Sequence, residues 1–489
     1  ALGYEKLVLY GTSYGTKVAE LYAARYPQNV EALVLDSVVP PEGPETFELT
    51  TFKAIPGVLN ELCSKSACSG ITSSPVHDIA RLANQLHKHR LTGSVYDGSG
   101  HRHQASIDEQ DLLGIMQAGD LNPALRALLP AAVTSAIRGE PDPLLRLNAL
   151  SEGLIPNVPL PPRRNKAEQE TSEEENNALF LATSCEEKRF PWQRQASAQT
   201  RMAEAQTALK ALPTSDFYPF DATTALENSL IPYCLDWQDA SPPPPPVGLL
   251  PNVPTLIFSG AQDLRTPTAN ARQIATQIPD AQLLVVPYTG HSVLGSDFSD
   301  CAQEAVDAFF SGTAVSPCKP SNNLFAPTPV TPTKLAYIKP IPGLSGKPGR
   351  TLMATLATMI DLTRQVIGAT LQADQELPSG SSFGGLHGGY ARLSGSAVDL
   401  HELTFVSGVQ LSAHLPIHSG EIQPATITVG GSSAARGTVR LDNNGHVSGT
   451  LGGHRFNLDL AKVHIASVAP GSWPTHLTHF PLGPLAHIR

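Results

Sequence analysis

Four short apolar runs rise from the chain: Lys6-Leu7-Val8-Leu9-Tyr10, Ala32-Leu33-Val34-Leu35, Thr255-Leu256-Ile257-Phe258-Ser259 and Gln282-Leu283-Leu284-Val285-Val286. Each is strand length and closes on turn residues, which predicts buried strands near 6–11, 31–36, 254–259 and 282–287. More than two hundred residues separate the second run from the third, and these read mainly as helical segments near 76–89, 108–116, 121–137 and 197–212. Near the far end, Leu352, Leu356, Met359, Ile360, Val366, Ile367 and Leu371 recur at helical spacing, predicting a helix over 351–371. The period then drops to two, with Val409, Leu411, Ala413, Leu415 and Ile417 alternating with polar residues. Turn clusters near 430–433 and 442–445 set off further strand runs at 425–429, 437–441, 446–451 and 454–460, a small antiparallel β domain.

Prolines punctuate this pattern. They crowd residues 316–349, which read as a semi-rigid linker, and five in a row follow Ser241. The domain map that results has an α/β core in two halves, 1–40 and 249–318, with a mainly helical cap at 41–248 between them. A Pro-rich linker at 319–349 then leads to a helix plus β-rich accessory domain at 350–489.

The chemistry gathers at the ends of the predicted core strands. Gly11-Thr12-Ser13-Tyr14-Gly15 stands between the first strand and a helix-like stretch, the layout of a nucleophile elbow. Its glycines let the backbone turn sharply and leave the Ser13 hydroxyl at the tip. The following helix aims its amide dipoles at charge forming there, and the Tyr14 backbone N–H is one oxyanion donor. Gly380-Ser381-Ser382-Phe383-Gly384 has the same pattern, but Glu376-Leu377-Pro378 precedes it and more glycines follow, so it reads as a flexible loop. A serine nucleophile needs a base and an acid that holds the base. Asp263 follows the third strand and His291 the fourth, in the order that α/β hydrolases use. Asp36, at the end of the second strand, is the rival acid. A loop Asp before Thr-Pro is commonly a turn or helix cap, and Gly-His after a strand is commonly surface loop. It is the conjunction, in order, that carries the reading.

With those residues in view, the chain resembles a bacterial tripeptidyl-aminopeptidase or proline-iminopeptidase (TAP-type) α/β hydrolase. The resemblance rests on Gly11 to Gly15, Val34-Leu35-Asp36-Ser37-Val38-Val39-Pro40-Pro41, Gly260-Ala261-Gln262-Asp263-Leu264-Arg265-Thr266-Pro267, Gly290-His291-Ser292 and the segment between Cys301 and Cys318. It covers residues 1–40 and 250–318. It implies a serine exopeptidase acting on peptides with a free amino terminus, with a Ser13–His291–Asp263 triad and an acyl-enzyme. The alternatives are a secreted esterase or lipase of the same fold and a non-catalytic binding protein. In such a fold several strands and an oxyanion loop precede the elbow strand. The four legible strands therefore lead us to expect an N-terminally truncated core with one uncovered edge and a weakened oxyanion hole. Loss of one oxyanion donor costs about 10²–10³ in kcat. An exopeptidase also needs a carboxylate for the substrate's α-ammonium, and Glu186 and Glu187, beside Cys185 and Phe190-Pro191-Trp192, are the candidates. The competing reading is a solvated acidic turn paired with Lys188 and Arg189. The charged run at 163–177 reads as a surface loop or solvated helix.

Six cysteines allow fifteen pairings; spacing favours Cys63–Cys68 and Cys301–Cys318, leaving Cys185–Cys234. Disulfides place the chain in the periplasm or outside the cell, with any signal segment in the missing part. No Cys-x-x-Cys occurs, which argues against zinc or thioredoxin chemistry, and no metal or cofactor is expected. Net charge is −10, from 34 basic and 44 acidic residues, which argues against nucleic acid and anionic membrane as partners. No stretch approaches a membrane span. The seven histidines between 387 and 464 and the 473–479 segment carry no legible chemistry.

Overall fold

The computed structural model describes residues 3–43, 45–158, 177–238, 248–319, 323–373, 377–418, 421–442, 445–460 and 462. The charged run at 163–177 (save Asn177), the five prolines after Ser241 and the 473–479 segment fall outside these residues. The chain forms two compact units, one from residues 1–62 and 167–324 and the other from 63–166 and 325–489.

The first unit is built on four parallel strands, Leu7–Thr12, Val30–Asp36, Thr255–Gly260 and Ala281–Val286, in that spatial order. The two central strands are buried on both faces, with Leu33, Leu35, Ile257 and Phe258 fully enclosed. Continuous apolar runs suit this position, since a parallel strand covered on both sides has no polar face to alternate. One face packs against the helices Tyr14–Arg25 and Thr268–Ala275, through Ala19, Ala23 and Ile274. The other packs against Cys301–Phe310 through Ala302 and Ala305. At the edge, the elbow strand leaves Leu7, Val8 and Tyr10 exposed. Helices Leu49–Leu62, Asn177–Glu187 and Ala198–Lys210 complete the unit, with Phe52 edge-on to Phe217 and Phe220.

The second unit is a nine-stranded antiparallel sheet whose main path runs sequentially from Ser382–Gly384 to His454–Asp459, with a two-residue strand, Glu421–Ile422, paired on Gln410–His418. The 28-residue helix Gly346–Ala373 lies on the sheet and shares its core: Leu352, Leu356 and Met359 join Phe383, Leu411, Val439 and Leu451. Four helices, Pro75–Leu86, Glu109–Ala118, Pro123–Ile137 and Asp142–Ser151, and a hairpin, Leu91–Tyr96 with Arg102–Ile107, belong to this unit. Asp108 starts the second of these helices with a capping box.

The map therefore differs from the expected one in three places. Residues 63–158 group with the C-terminal residues rather than with the rest of the expected cap. They join the helix Gly346–Ala373 through a buried Arg146–Asp361 ion pair and through Asn122 Nδ2, which donates to Gly368 O at 2.8 Å. From Phe325 onward the Pro-rich segment is part of that unit, with Leu335 and Ile341 in its core. The second Gly-x-Ser-x-Gly is also no loose loop, because Ser382–Gly384 is a strand paired with Tyr390–Ser394 and Phe383 is fully buried. Three disulfides form, Cys63–Cys68, Cys185–Cys234 and Cys301–Cys318, so no cysteine is free. Among the described residues no helix is long and apolar enough to cross a membrane.

Candidate active site

Parallel strands deliver their following loops to one edge of the sheet, so the turns after Thr12, Asp36, Gly260 and Val286 share the carboxyl end. The first is sharp. Ser13 sits at φ 54°, ψ −123°, a conformation that costs a non-glycine residue about 1–3 kcal/mol. Gly11 makes room for it, since a Cβ there would collide with the Gly15 carbonyl. The turn is fastened on both sides: Ser13 N donates to Asp36 O at 2.9 Å, and Thr16 donates to Ser13 O from its amide at 2.9 Å and its hydroxyl at 2.7 Å.

Asp263 and His291 meet. His291 Nδ1 lies 3.0 Å from Asp263 Oδ2, and Thr266 Oγ1 donates to the same oxygen at 2.6 Å while standing 3.1 Å from the ring nitrogen. The other oxygen, Oδ1, accepts the amides of Arg265 at 2.8 Å and Thr266 at 2.9 Å. Burial alone would push this carboxyl up. The hydrogen bonds from His291 and Thr266 and the imidazole's charge outweigh it, and hold Asp263 below the usual carboxylate range. An ionised carboxylate only accepts, so Nδ1 carries the proton and Nε2 is left as the free ring nitrogen. Gly260 permits this approach, because a Cβ would strike the Gly290 carbonyl. Glu61 ties the two loops together, accepting from Gln262 Nε2 and from Tyr288 N. Among the described residues Ser13 Oγ makes no hydrogen bond to His291; such bonds are commonly open before substrate arrives.

Asp36, the rival acid, holds backbone instead. Its Oδ1 accepts from Val293 N at 2.8 Å and Ser37 Oγ at 3.0 Å, and its Oδ2 from Leu294 N at 2.9 Å. Ser37 Oγ in turn accepts from Ser292 N at 2.9 Å. It thereby anchors the loop that carries His291. Burial raises its pKa despite these bonds.

The two candidate amine ligands differ. Glu187 lies against the elbow helix: Tyr14 OH donates to Oε1 at 2.8 Å and lies 3.0 Å from Oε2, and Lys17 Nζ donates to Oε2 at 2.7 Å. Burial and this carboxylate push the Tyr14 phenol up to about 12. Glu186 accepts from Trp237 Nε1 at 3.0 Å through Oε1, while its Oε2 is buried without a hydrogen bond, 3.9 Å from Arg194. The Cys185–Cys234 bridge pins this end of the helix. Neither glutamate pairs with Lys188 or Arg189, as the competing reading supposed. Lys188 Nζ is buried without a hydrogen bond; burial lowers its pKa, opposed by the charges of Glu48 and Glu45. No motif announces that cluster, because Lys188 is distant in sequence from Glu45 and Glu48.

Residues 218–317 match the family model described as TAP-like protein, and residues 1–65 match the one described as alpha/beta hydrolase fold. Serine protease Hip1 of Mycobacterium tuberculosis (strain ATCC 25618 / H37Rv) and of Mycobacterium bovis is 37% identical over 79 residues, 15% of this chain and 15% of the relative. The matched stretch thus spans a small part of those proteases. Solved structures include MGS-M2, an alpha/beta hydrolase enzyme from a deep-sea metagenome library (13% identity, TM-score 0.23, 66% of this chain and 70% of that one). An epoxide hydrolase from Bacillus megaterium stands at 13% identity and TM-score 0.22, covering 63% and 71%. Both family-model matches fall in the first unit or its flank, and its α/β core resembles that of TAP-like α/β hydrolases.

Proposed function

We propose that the first unit is a serine aminopeptidase acting on short peptides with a free amino terminus, outside the cytoplasm. The observation that carries this reading is that the Asp263–His291 pair and the strained Ser13 turn both follow strands at one edge of a single sheet. His291 Nε2 takes the proton of Ser13 as Oγ attacks the scissile carbonyl, and the Tyr14 N–H faces the oxyanion. The same imidazole returns the proton to the leaving amine, and water then releases the acyl group by the reverse path. Asp263 keeps the imidazole in the tautomer this requires. Of the two glutamates we assign Glu187 to the substrate amine; in support, it touches Tyr14, the residue after the nucleophile, and among the described residues its Oε1 accepts from that phenol alone. Glu186 supports it from the Trp237 side. Three disulfides suit a periplasmic or extracellular site.

A fluorophosphonate probe should label the chain at Ser13 and fail on Ser13→Ala. A tripeptidyl-aryl amide should turn over only with its amine free. Turnover that ignores N-acetylation, or acts on simple esters alone, replaces the peptidase with an esterase. Absence of labelling removes the enzyme reading and leaves a binding protein.

A further inference from the structure

The second unit, for which the reading above has no use, holds a cavity of about 610 Å³ between the helices Pro123–Ile137, Asp142–Ser151 and Gly346–Ala373. That volume falls within the roughly 300–1,000 Å³ of small-molecule sites. Its walls are mainly aliphatic, from Leu128, Ala131, Met353, Ala357 and Ile360, with Tyr337 and Phe405 beside them, and the Thr-Pro segment 328–333 also lines it.

Six charged side chains also line it, and they do not balance. Arg146 and Asp361 cancel each other in a buried two-pronged pair, at 2.8 and 2.5 Å, and Gln365 donates to the same carboxylate at 3.1 Å. That leaves Arg138, Lys339 and Arg364 against Glu140 alone. Among the described residues none of those three cations makes a side-chain hydrogen bond or ion pair. Arg364 is half-buried, while Arg138 and Lys339 are exposed. Burial brings its guanidinium down to about 10, with Asp361 opposing, so it stays charged at neutral pH. Ser135, another lining residue, has its Oγ buried and unbonded. A half-buried guanidinium with no bonded acceptor leaves its donors open to solvent or to an anion. The excess of positive charge is local, since the whole chain carries −10.

We propose that this cavity binds a single-chain amphiphile with an anionic head, carboxylate or phosphate. Arg364 receives the head in fork geometry, with Arg138 and Lys339 adding charge from the exposed side. The chain lies along Leu128, Met353 and Ile360.

The test is calorimetric titration of the full chain, disulfides intact, with decanoate, decyl phosphate, decanol and inorganic phosphate. Both anionic amphiphiles should bind at least tenfold more tightly than decanol and than phosphate, and the tighter of the two identifies the head group. Arg364→Gln should weaken both at least tenfold, Arg364→Lys should restore part of the loss, and Ala357→Phe should abolish binding by filling the cavity. Arg364 has no bonded partner, so its variants should keep the native circular dichroism even where the packing variant fails to fold. Decanol binding equal to decanoate, inorganic phosphate binding equal to decyl phosphate, Arg364→Gln without effect, or no binding at all would each overturn the proposal.

Discussion

Glu20 on the elbow helix gives the sharpest physical test of the first unit. The residue is fully buried and neither carboxylate oxygen has a hydrogen-bond partner. Burial, and then the charge of Glu42, raise its pKa from 4.5 to about 9. Between those values the native state holds a proton that the unfolded chain has released. Stability is therefore fully present below pH 4.5 and falls as pH rises, by up to about 1.4 kcal/mol per unit. From pH 4.5 to 7 the loss is about 3 kcal/mol, and it levels off near 6 kcal/mol above pH 9. Glu20→Gln keeps the shape and removes the titration. The variant should match the parent within about 1 kcal/mol at pH 5 and exceed it by about 3 kcal/mol at pH 7, with a wider gap at pH 8.5. With two units in one chain, a single midpoint is not defined, so the probe must be local. Trp192 and Trp237 both belong to the first unit, and the third tryptophan, Trp473, can be changed to Phe. Urea unfolding followed by the fluorescence of the remaining pair then reports that unit. A difference that does not vary with pH, or a variant less stable than the parent at pH 8.5, would show that Glu20 is ionised and partnered, and the argument would fail.

Four further outcomes can be checked. Asp263→Asn should lower kcat about 10⁴-fold with the fold retained, whereas Asp36→Asn should cost about 1–3 kcal/mol of stability by setting an amide N–H₂ against Val293 N or Leu294 N. Equal losses of activity at unchanged stability would make Asp36 the acid. Glu187→Gln should raise KM for free-amine peptides about tenfold and leave other substrates alone, and Lys17→Met should relieve the buried lysine's loss of partner without restoring KM; recovery of KM would make the glutamate structural. Removing Cys185–Cys234, a 49-residue separation, should destabilise the first unit by about 4 kcal/mol in urea titrations. Arg146→Met should cost about 3–5 kcal/mol and Arg146→Met with Asp361→Leu far less, since only the single change strands a buried charge; equal costs would refute that reasoning.

The core strands were legible because burial on both faces writes an unbroken apolar run, and the chain order of their loops gave the topology of the edge. The second unit was not legible as one body. Its two segments are joined by Arg146 and Asp361, 215 residues apart, and each reads alone as an ordinary solvated charge. Strands Tyr390–Ser394, Ala397–Leu403 and Ser382–Gly384 went unseen, because the first and last are short and the alternation of Ala397–Leu403 breaks where Glu402 takes φ 48°. There the backbone packs where side chains would not fit: a Cβ on Gly384 would meet the Tyr96 carbonyl.

At the site, sequence supplied residue types and order, but partner geometry divides the roles. Asp36 and Asp263 are the same residue, each closing or following a buried strand of one sheet, and both are fully buried. Asp36 ends up facing three donors that belong to the backbone and Ser37, and burial still raises its pKa. Asp263 faces an imidazole that can itself become charged, and this reverses the sign of its shift. The proposed base is therefore supported twice, by one carboxylate that orients its ring and another that fixes the loop beneath it. A spacing rule sees two equivalent aspartates. The difference lies in contact: His291 hydrogen-bonds Asp263 directly, whereas it reaches Asp36 only through its charge, and there burial wins.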